Sequence, residues 1–298
     1  MKLGNSITAG LLLMGMTTPA VAAETRPQRI VSTNYCTDQI LLRLVEPERI
    51  LSLTYISWDL GNTAPEFFPA LDHIKMNHGL AEEVLTMRPD LVMGGTFSAR
   101  FTNGLLGRLG YKVILFDAET SFEEWYENIR IMGHAVGEPE RAEKMVAEFK
   151  TGLAALTSQI PPGEMPIYAD LTINNWMPGN DTLYTQVVNA GGFRTAGQSL
   201  GFSGYQGIPL EKLIQIDIDL ISSKSKYENP PSMATQNLRH PLLRRMVEKA
   251  YASINIPPRY VTCTTPETLK MVALLIQARK DVDTAKAARK AAGAAATR

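Results

Sequence analysis

One piece of this sequence is written twice. Glu82-Glu83-Val84-Leu85-Thr86-Met87-Arg88-Pro89-Asp90-Leu91-Val92 and Glu211-Lys212-Leu213-Ile214-Gln215-Ile216-Asp217-Ile218-Asp219-Leu220-Ile221 share one plan. Each opens on a glutamate, runs through a short apolar helix, places an aspartate eight residues on, and ends in an apolar strand. The two glutamates are 129 residues apart. A helix-to-strand element repeated at that distance points to two lobes of similar build, each near the ~150 residues of an ordinary domain. One glutamate at a helix N-terminus reads as compensation of the helix dipole, worth ~0.3–1 kcal/mol. Two of them, at equivalent ends of two lobes, read as a docking device.

Around both copies, strand and helix patterns alternate. Arg29-Ile30-Val31-Ser32, Ile50-Leu51-Ser52-Leu53, Leu91-Val92-Met93 and the segment 111–116 read as strands, with helical patterns between them. The same grammar resumes at Pro166-Ile167-Tyr168-Ala169 and continues through a helix at 183–189, closed by Gly191-Gly192, to a strand at 259–262 and a helix at 267–280. Such alternation predicts an α/β fold with parallel sheets covered on both faces. Between the halves, Ala142, Met145, Val146, Phe149, Leu153 and Leu156 recur at helical spacing, from Glu138-Pro139-Glu140 to Pro161-Pro162-Gly163. A helix of ~20 residues spans about 30 Å, enough to join two lobes. The expected organisation is a signal peptide at 1–23, an N-terminal lobe at 24–137, a linking helix at 138–160, a C-terminal lobe at 161–280, and a frayed or disordered tail at 281–298.

The first 23 residues carry a positive start at Lys2, a short apolar stretch over 7–16, and Pro19-Ala20-Val21-Ala22-Ala23 as a cleavage site. That is the pattern of a cleavable export signal, and it places the mature chain in a periplasm. Past it, no apolar run approaches the ~20 residues needed to cross a bilayer. Thirty basic residues balance thirty acidic ones, which excludes nucleic-acid binding driven by charge. In an oxidising compartment Cys36 and Cys263 either form one disulfide or sit as two buried thiols, and the sequence leaves both open. His73 and His78 are five apart and do not share a helix face, so no metal site is expected. No nucleophile elbow, dinucleotide fingerprint or P-loop is present, so catalysis is not expected.

Taken in order, several segments resemble the substrate-binding proteins of ABC importers for vitamin B12, ferric siderophores and haem. They are Arg29-Ile30-Val31-Ser32, Arg88-Pro89-Asp90-Leu91-Val92, Leu109-Gly110-Tyr111-Lys112-Val113, the helix from Glu138, and Asn189-Ala190-Gly191-Gly192-Phe193. The resemblance implies two Rossmann-like lobes joined by a single long α-helix, with the ligand in the cleft between them. It implies a monomer that hands a small metal chelate to an inner-membrane permease and its ATPase, and that keeps no cofactor of its own. Glu82 and Glu211 fall where the family docks onto its permease. Met76 and Tyr205, six residues before them, fall where it contacts ligand. Ligands of open α/β sheets bind beyond the carboxyl ends of the strands, which adds Tyr55, Trp58, His78, Arg100 and Trp176 as candidates. Arg100 would pair with an anionic ligand group. Trp125, on an amphipathic helical pattern, is expected to serve packing alone. A receptor for a bare metal ion or oxyanion, and an exported α/β enzyme, are the alternative readings.

Overall fold

The computed structural model describes residues 26–59, 61–172, 175–223 and 240–296. The expected signal peptide lies outside them. Strands β1 (Ile30–Ser32), β2 (Ile50–Thr54), β3 (Lys75–Asn77), β4 (Leu91–Gly95) and β5 (Val113–Phe116) form one sheet, and β6 (Ile167–Leu171), β8 (Arg194–Thr195), β10 (Leu220–Ser223) and β11 (Ala252–Ile254) form another. A ribbon of β7 (Trp176–Pro178) and β9 (Tyr205–Gly207) stands beside the second sheet. The helices of the first half are α1 (Tyr35–Leu44), α2 (Phe68–Leu71), α3 (Ala81–Met87), α4 (Arg100–Arg108) and α5 (Phe122–Val136). The linking helix is α6 (Pro139–Thr157). Then come α7 (Leu183–Ala190), α8 (Ala196–Ser199), α9 (Leu210–Leu213), α10 (Pro241–Lys249) and α11 (Thr268–Ala296).

Both main sheets are parallel, with strand orders β3-β2-β1-β4-β5 and β11-β10-β6-β8. In the first, the chain winds outward from β1 to β3 and returns to β4 on the other side, so a topological switch lies between β1 and β4. The repeated aspartates have the same task in each lobe. The Asp90 carboxylate accepts hydrogen bonds from the amides of Gln28 (2.7 Å) and Arg29 (3.0 Å), just before β1. The Asp219 carboxylate accepts from the Ile167 amide (2.7 Å), the first residue of β6. Each aspartate latches the lobe's first strand onto the strand that follows the repeated helix.

Glycine 137 ends α5 in the left-handed region (φ 74°), and Pro139 starts α6 where its missing N–H costs nothing. Gly133 lets α5 and α6 approach closely, since a Cβ there would stand 2.3 Å from the Ala142 Cβ. Buried Glu138 fixes the corner by pairing with Arg49 (2.7 Å) and with Arg26. One apolar core then runs without a break from the first sheet through Trp125, Ile129 and Phe149 to Val187, Phe193 and Met271 of the second half. The linking helix is therefore packed on both lobes along its length.

Two expectations change. The strand of the last quarter is Ala252–Ile254, and the segment expected at 259–262 contains a 3₁₀ turn, Pro258–Tyr260. Consecutive prolines at 257 and 258 supply no N–H for a ladder and fix the turn instead. The helix expected to stop at 280 continues to Ala296, so the described part of the tail is helical. Alanine has the strongest helix propensity, and the segment is pinned to the lobe. Lys286 pairs with Asp219 at 2.8 Å, and the Arg289 guanidinium lies 4.3 Å from the Tyr251 ring centre.

Candidate functional site: the cleft between the lobes

The switch point of the first sheet opens onto the cleft. Asn34, after β1, caps α1 by accepting from the amides of Cys36 (2.8 Å) and Thr37 (3.1 Å). Its side-chain amide donates to Ser98 Oγ (3.1 Å) in the loop after β4. The glycine at position 95 permits this closure, since a Cβ there would meet the Asn34 amide at 2.8 Å. The locked loops present Phe97, which is 79% exposed. After β5, Asp117 accepts from Thr96 Oγ1 (2.6 Å) and Glu119 from the Asn128 amide (2.8 Å). From the second lobe come Tyr184 and Val187 of α7, Tyr205 of β9, and the segment 260–264. Together these walls line a half-open cavity of about 280 Å³, whose apolar lining includes Ile40, Trp125, Ile129, Met132 and Met271.

One wall is covalent. Cys36, at the start of α1, and Cys263, just before α11, form a disulfide with Cα atoms 5.4 Å apart. Of the two arrangements the sequence left open, the structure has the bridge, and it crosses from lobe to lobe. Beside it, buried Arg43 of α1 pairs with Glu267, and the Arg259 amide donates to the Gly61 carbonyl (3.1 Å).

Tyrosines line the floor on the second lobe. Tyr184 Oη donates to Asp170 Oδ2 (3.3 Å) and lies 3.1 Å from Tyr168 Oη. Burial, and then the Asp170 charge, raise the Tyr184 phenol well above its ordinary pKa. The same two causes push Tyr205 up to about 12. Both tyrosines line the cavity with their phenols protonated, the Tyr184 hydroxyl turned to Asp170 and Tyr168.

The residues singled out in the sequence are distributed around this cleft rather than gathered within it. Tyr205 lines the cavity. Trp176 stands opposite Gly207, and Tyr205 opposite Pro178, so Trp176 and Tyr205 share one face of the β7–β9 ribbon. Both are about half exposed. Tyr55 stacks on His78, with ring centres 5.2 Å apart, and His78 Nδ1 lies 2.9 Å from Glu83 Oε1. Met76 is exposed on β3, and Arg100 is exposed at the first residue of α4. Tyr55, Met76, His78, Arg100 and Trp176 do not line the cavity. Trp58 is half-buried and packs on the core. Trp125 changes role: it packs against Phe149 with the rings tilted and their centres 4.6 Å apart, as a buried helix face requires, and it also lines the cavity. Asp117, Glu119, Asn128 and Tyr184 went unrecognised in the sequence. Asp117 directly follows a strand, which was a usable signal. Tyr184 sits in the first turn of a helix and carried none. Glu82 and Glu211 are exposed in the first turns of α3 and α9, the helices that lead into β4 and β10.

A two-lobed α/β body with one packed linking helix and a ligand-sized cleft defines a solute-binding protein. The chain matches the model of the family described as periplasmic binding protein over residues 30–256, and it belongs to that family. Among solved structures it is similar to a periplasmic haem-binding protein from Pseudomonas aeruginosa, with 20% identity over 85% of this chain and 92% of that one, and a TM-score of 0.66. It is also similar to the periplasmic vitamin B12-binding protein of Vibrio cholerae, with 17% identity over 88% and 98% of the two chains and a TM-score of 0.64. A haem-binding protein from Roseiflexus sp. RS-1 gives 17% identity over 87% and 98%, with a TM-score of 0.66. Comparison with curated protein sequences finds no match.

Proposed function

We propose that this chain is the receptor of an ABC importer. It captures a metal chelate (a ferric siderophore, or a related corrinoid or haem) in the periplasm and delivers it to an inner-membrane permease. The observation that carries this reading is the cleft itself. It lies beyond the carboxyl ends of β1, β4 and β5, as ligand sites of open α/β folds do, with Phe97 and Tyr205 in its lining and Trp176 on the same ribbon face as Tyr205. Similar structures described as haem- and vitamin B12-binding support the same substrate class.

Glu82 and Glu211 are the docking pair in this reading. Charges at a rim mainly set orientation and encounter rate. Replacing both with alanine leaves ligand affinity intact and abolishes uptake by cells, while either change alone does less. Normal uptake by the double variant would remove the docking role. The substrate class is tested by titrating tryptophan fluorescence with ferric siderophores, haem, cobalamin and simple metal ions. Binding of simple metal ions only would overturn the chelate reading. Export is tested by N-terminal sequencing of the periplasmic protein, which should begin at Ala23 or Glu24.

A further inference from the structure

Among the described residues, the charged side chains that line the cavity are of one sign. Among the described residues that line the cavity, Asp117 and Glu119 carry charge, and no lysine, arginine or histidine stands among them. Both carboxylates are held in place by neutral donors, Thr96 Oγ1 and the Asn128 amide. Arg100, the residue expected to anchor an anionic ligand, lies outside the cavity.

Size gives a second constraint. The cavity of about 280 Å³ is roughly twice the ~150 Å³ that holds a benzene ring and falls below most drug-sized pockets. Its walls resist widening. The shared core holds the lobes together, and the Cys36–Cys263 bridge with the Arg43–Glu267 pair adds a second link between them.

We propose that the part of the ligand entering this cleft is compact, about one to two rings in size, and neutral or cationic rather than anionic. The proposal rests on the receptor reading and narrows it. Among metal chelates, a neutral or positively charged complex fits. A polyanionic complex, or a macrocycle led in by its carboxylates, does not. Asp117 and Glu119 are the selecting residues, Tyr205 supplies a neutral hydrogen-bonding group, and Tyr184 and Trp125 form part of the wall.

The test uses the whole mature protein and two matched pairs of probes, followed by tryptophan fluorescence. The first pair is 1-naphthylmethylammonium and 1-naphthoate, alike in size and opposite in charge. The ammonium is expected to bind at least tenfold more tightly. In the variant Asp117→Asn/Glu119→Gln, which keeps both hydrogen bonds, the ratio should fall close to one. Equal or tighter binding of the carboxylate, an unchanged ratio in the variant, or failure of both probes to bind would each overturn the proposal. The second pair is a monocationic ferric trihydroxamate and a trianionic ferric tris-catecholate. If both chelates bind regardless of charge, charge selection fails and the receptor reading stands. If no chelate binds while the naphthyl pair behaves as expected, the chelate reading fails and the charge preference of the cleft stands.

Discussion

Asp90 and Asp219 occupy equivalent places, yet their energetic weights should differ. Asp90 accepts from two amides that lie near solvent, so water can replace it. Asp219 is buried, takes the part-buried Ile167 amide, and also holds Lys286. A buried donor left without a partner costs ~1–3 kcal/mol, whereas an exposed one costs far less. Asp219→Ala should therefore lower the urea midpoint clearly, and Asp90→Ala only slightly; equal shifts would sink the argument. In the cleft, Trp176→Ala and Tyr205→Ala should each weaken ligand binding by ~1–3 kcal/mol, the range for contacts that matter. Trp58 is the control for that pair, because it packs on the core away from the cavity. Unchanged affinity in both cleft variants would mean that the ligand sits elsewhere. The contrast between Trp58 and Trp125 shows what spacing along a sequence leaves out. Periodicity assigns Trp125 to a buried helix face, correctly, but cannot say that the face borders a void.

At the scale of elements, Asp38 of α1 ties the helix to the loop that carries Tyr55. Its Oδ2 accepts from the Thr54 amide (2.9 Å), the Thr54 hydroxyl and Ser57 Oγ (2.8 Å), while Oδ1 accepts from no described residue. Burial raises its pKa from 3.8 to about 6, against the lowering effect of those hydrogen bonds. The folded chain thus holds a proton, between pH 3.8 and about 6, that the unfolded chain has already released. By linkage, this group's contribution is fully present below the lower value and is lost as pH rises to the upper one, a change of about 3 kcal/mol. Asp38→Asn should flatten that part of the curve of unfolding free energy against pH; an unaltered slope would show that Asp38 does not titrate there. Much at this scale was legible in the sequence. The parallel α/β pattern, the linking helix and the repeated helix-to-strand units follow from periodicity, proline and glycine. The last quarter was less so. Val261 and Thr262 favour a strand locally, but Pro257 and Pro258 prevail. The helical tail depends on contacts with Asp219 and Tyr251 from distant parts of the chain. The cleft was legible only as an address at strand ends, because its acidic lining is assembled from loops whose pairing is tertiary.

For the whole molecule, the question is whether the lobes can move. A hinge needs a few residues free to change φ and ψ. The linking helix offers none, since it is continuous from Pro139 to Thr157 and shares one core with both lobes. The disulfide adds a second tether from lobe to lobe and closes a span of 227 residues. In the chain-entropy account, removing a bridge of that span destabilises a protein by about 5 kcal/mol. Two tethers together restrict rotation more than one alone. Solution scattering curves with and without ligand should therefore superimpose for the native protein. In Cys36→Ser/Cys263→Ser, two effects should appear together: a lower melting temperature, and faster ligand dissociation as the wall formed by residues 260–264 loosens. Compaction of the native protein on binding would show that the lobes rotate despite both tethers. A variant with native dissociation kinetics would show that the linking helix and its core hold the cleft without help from the disulfide.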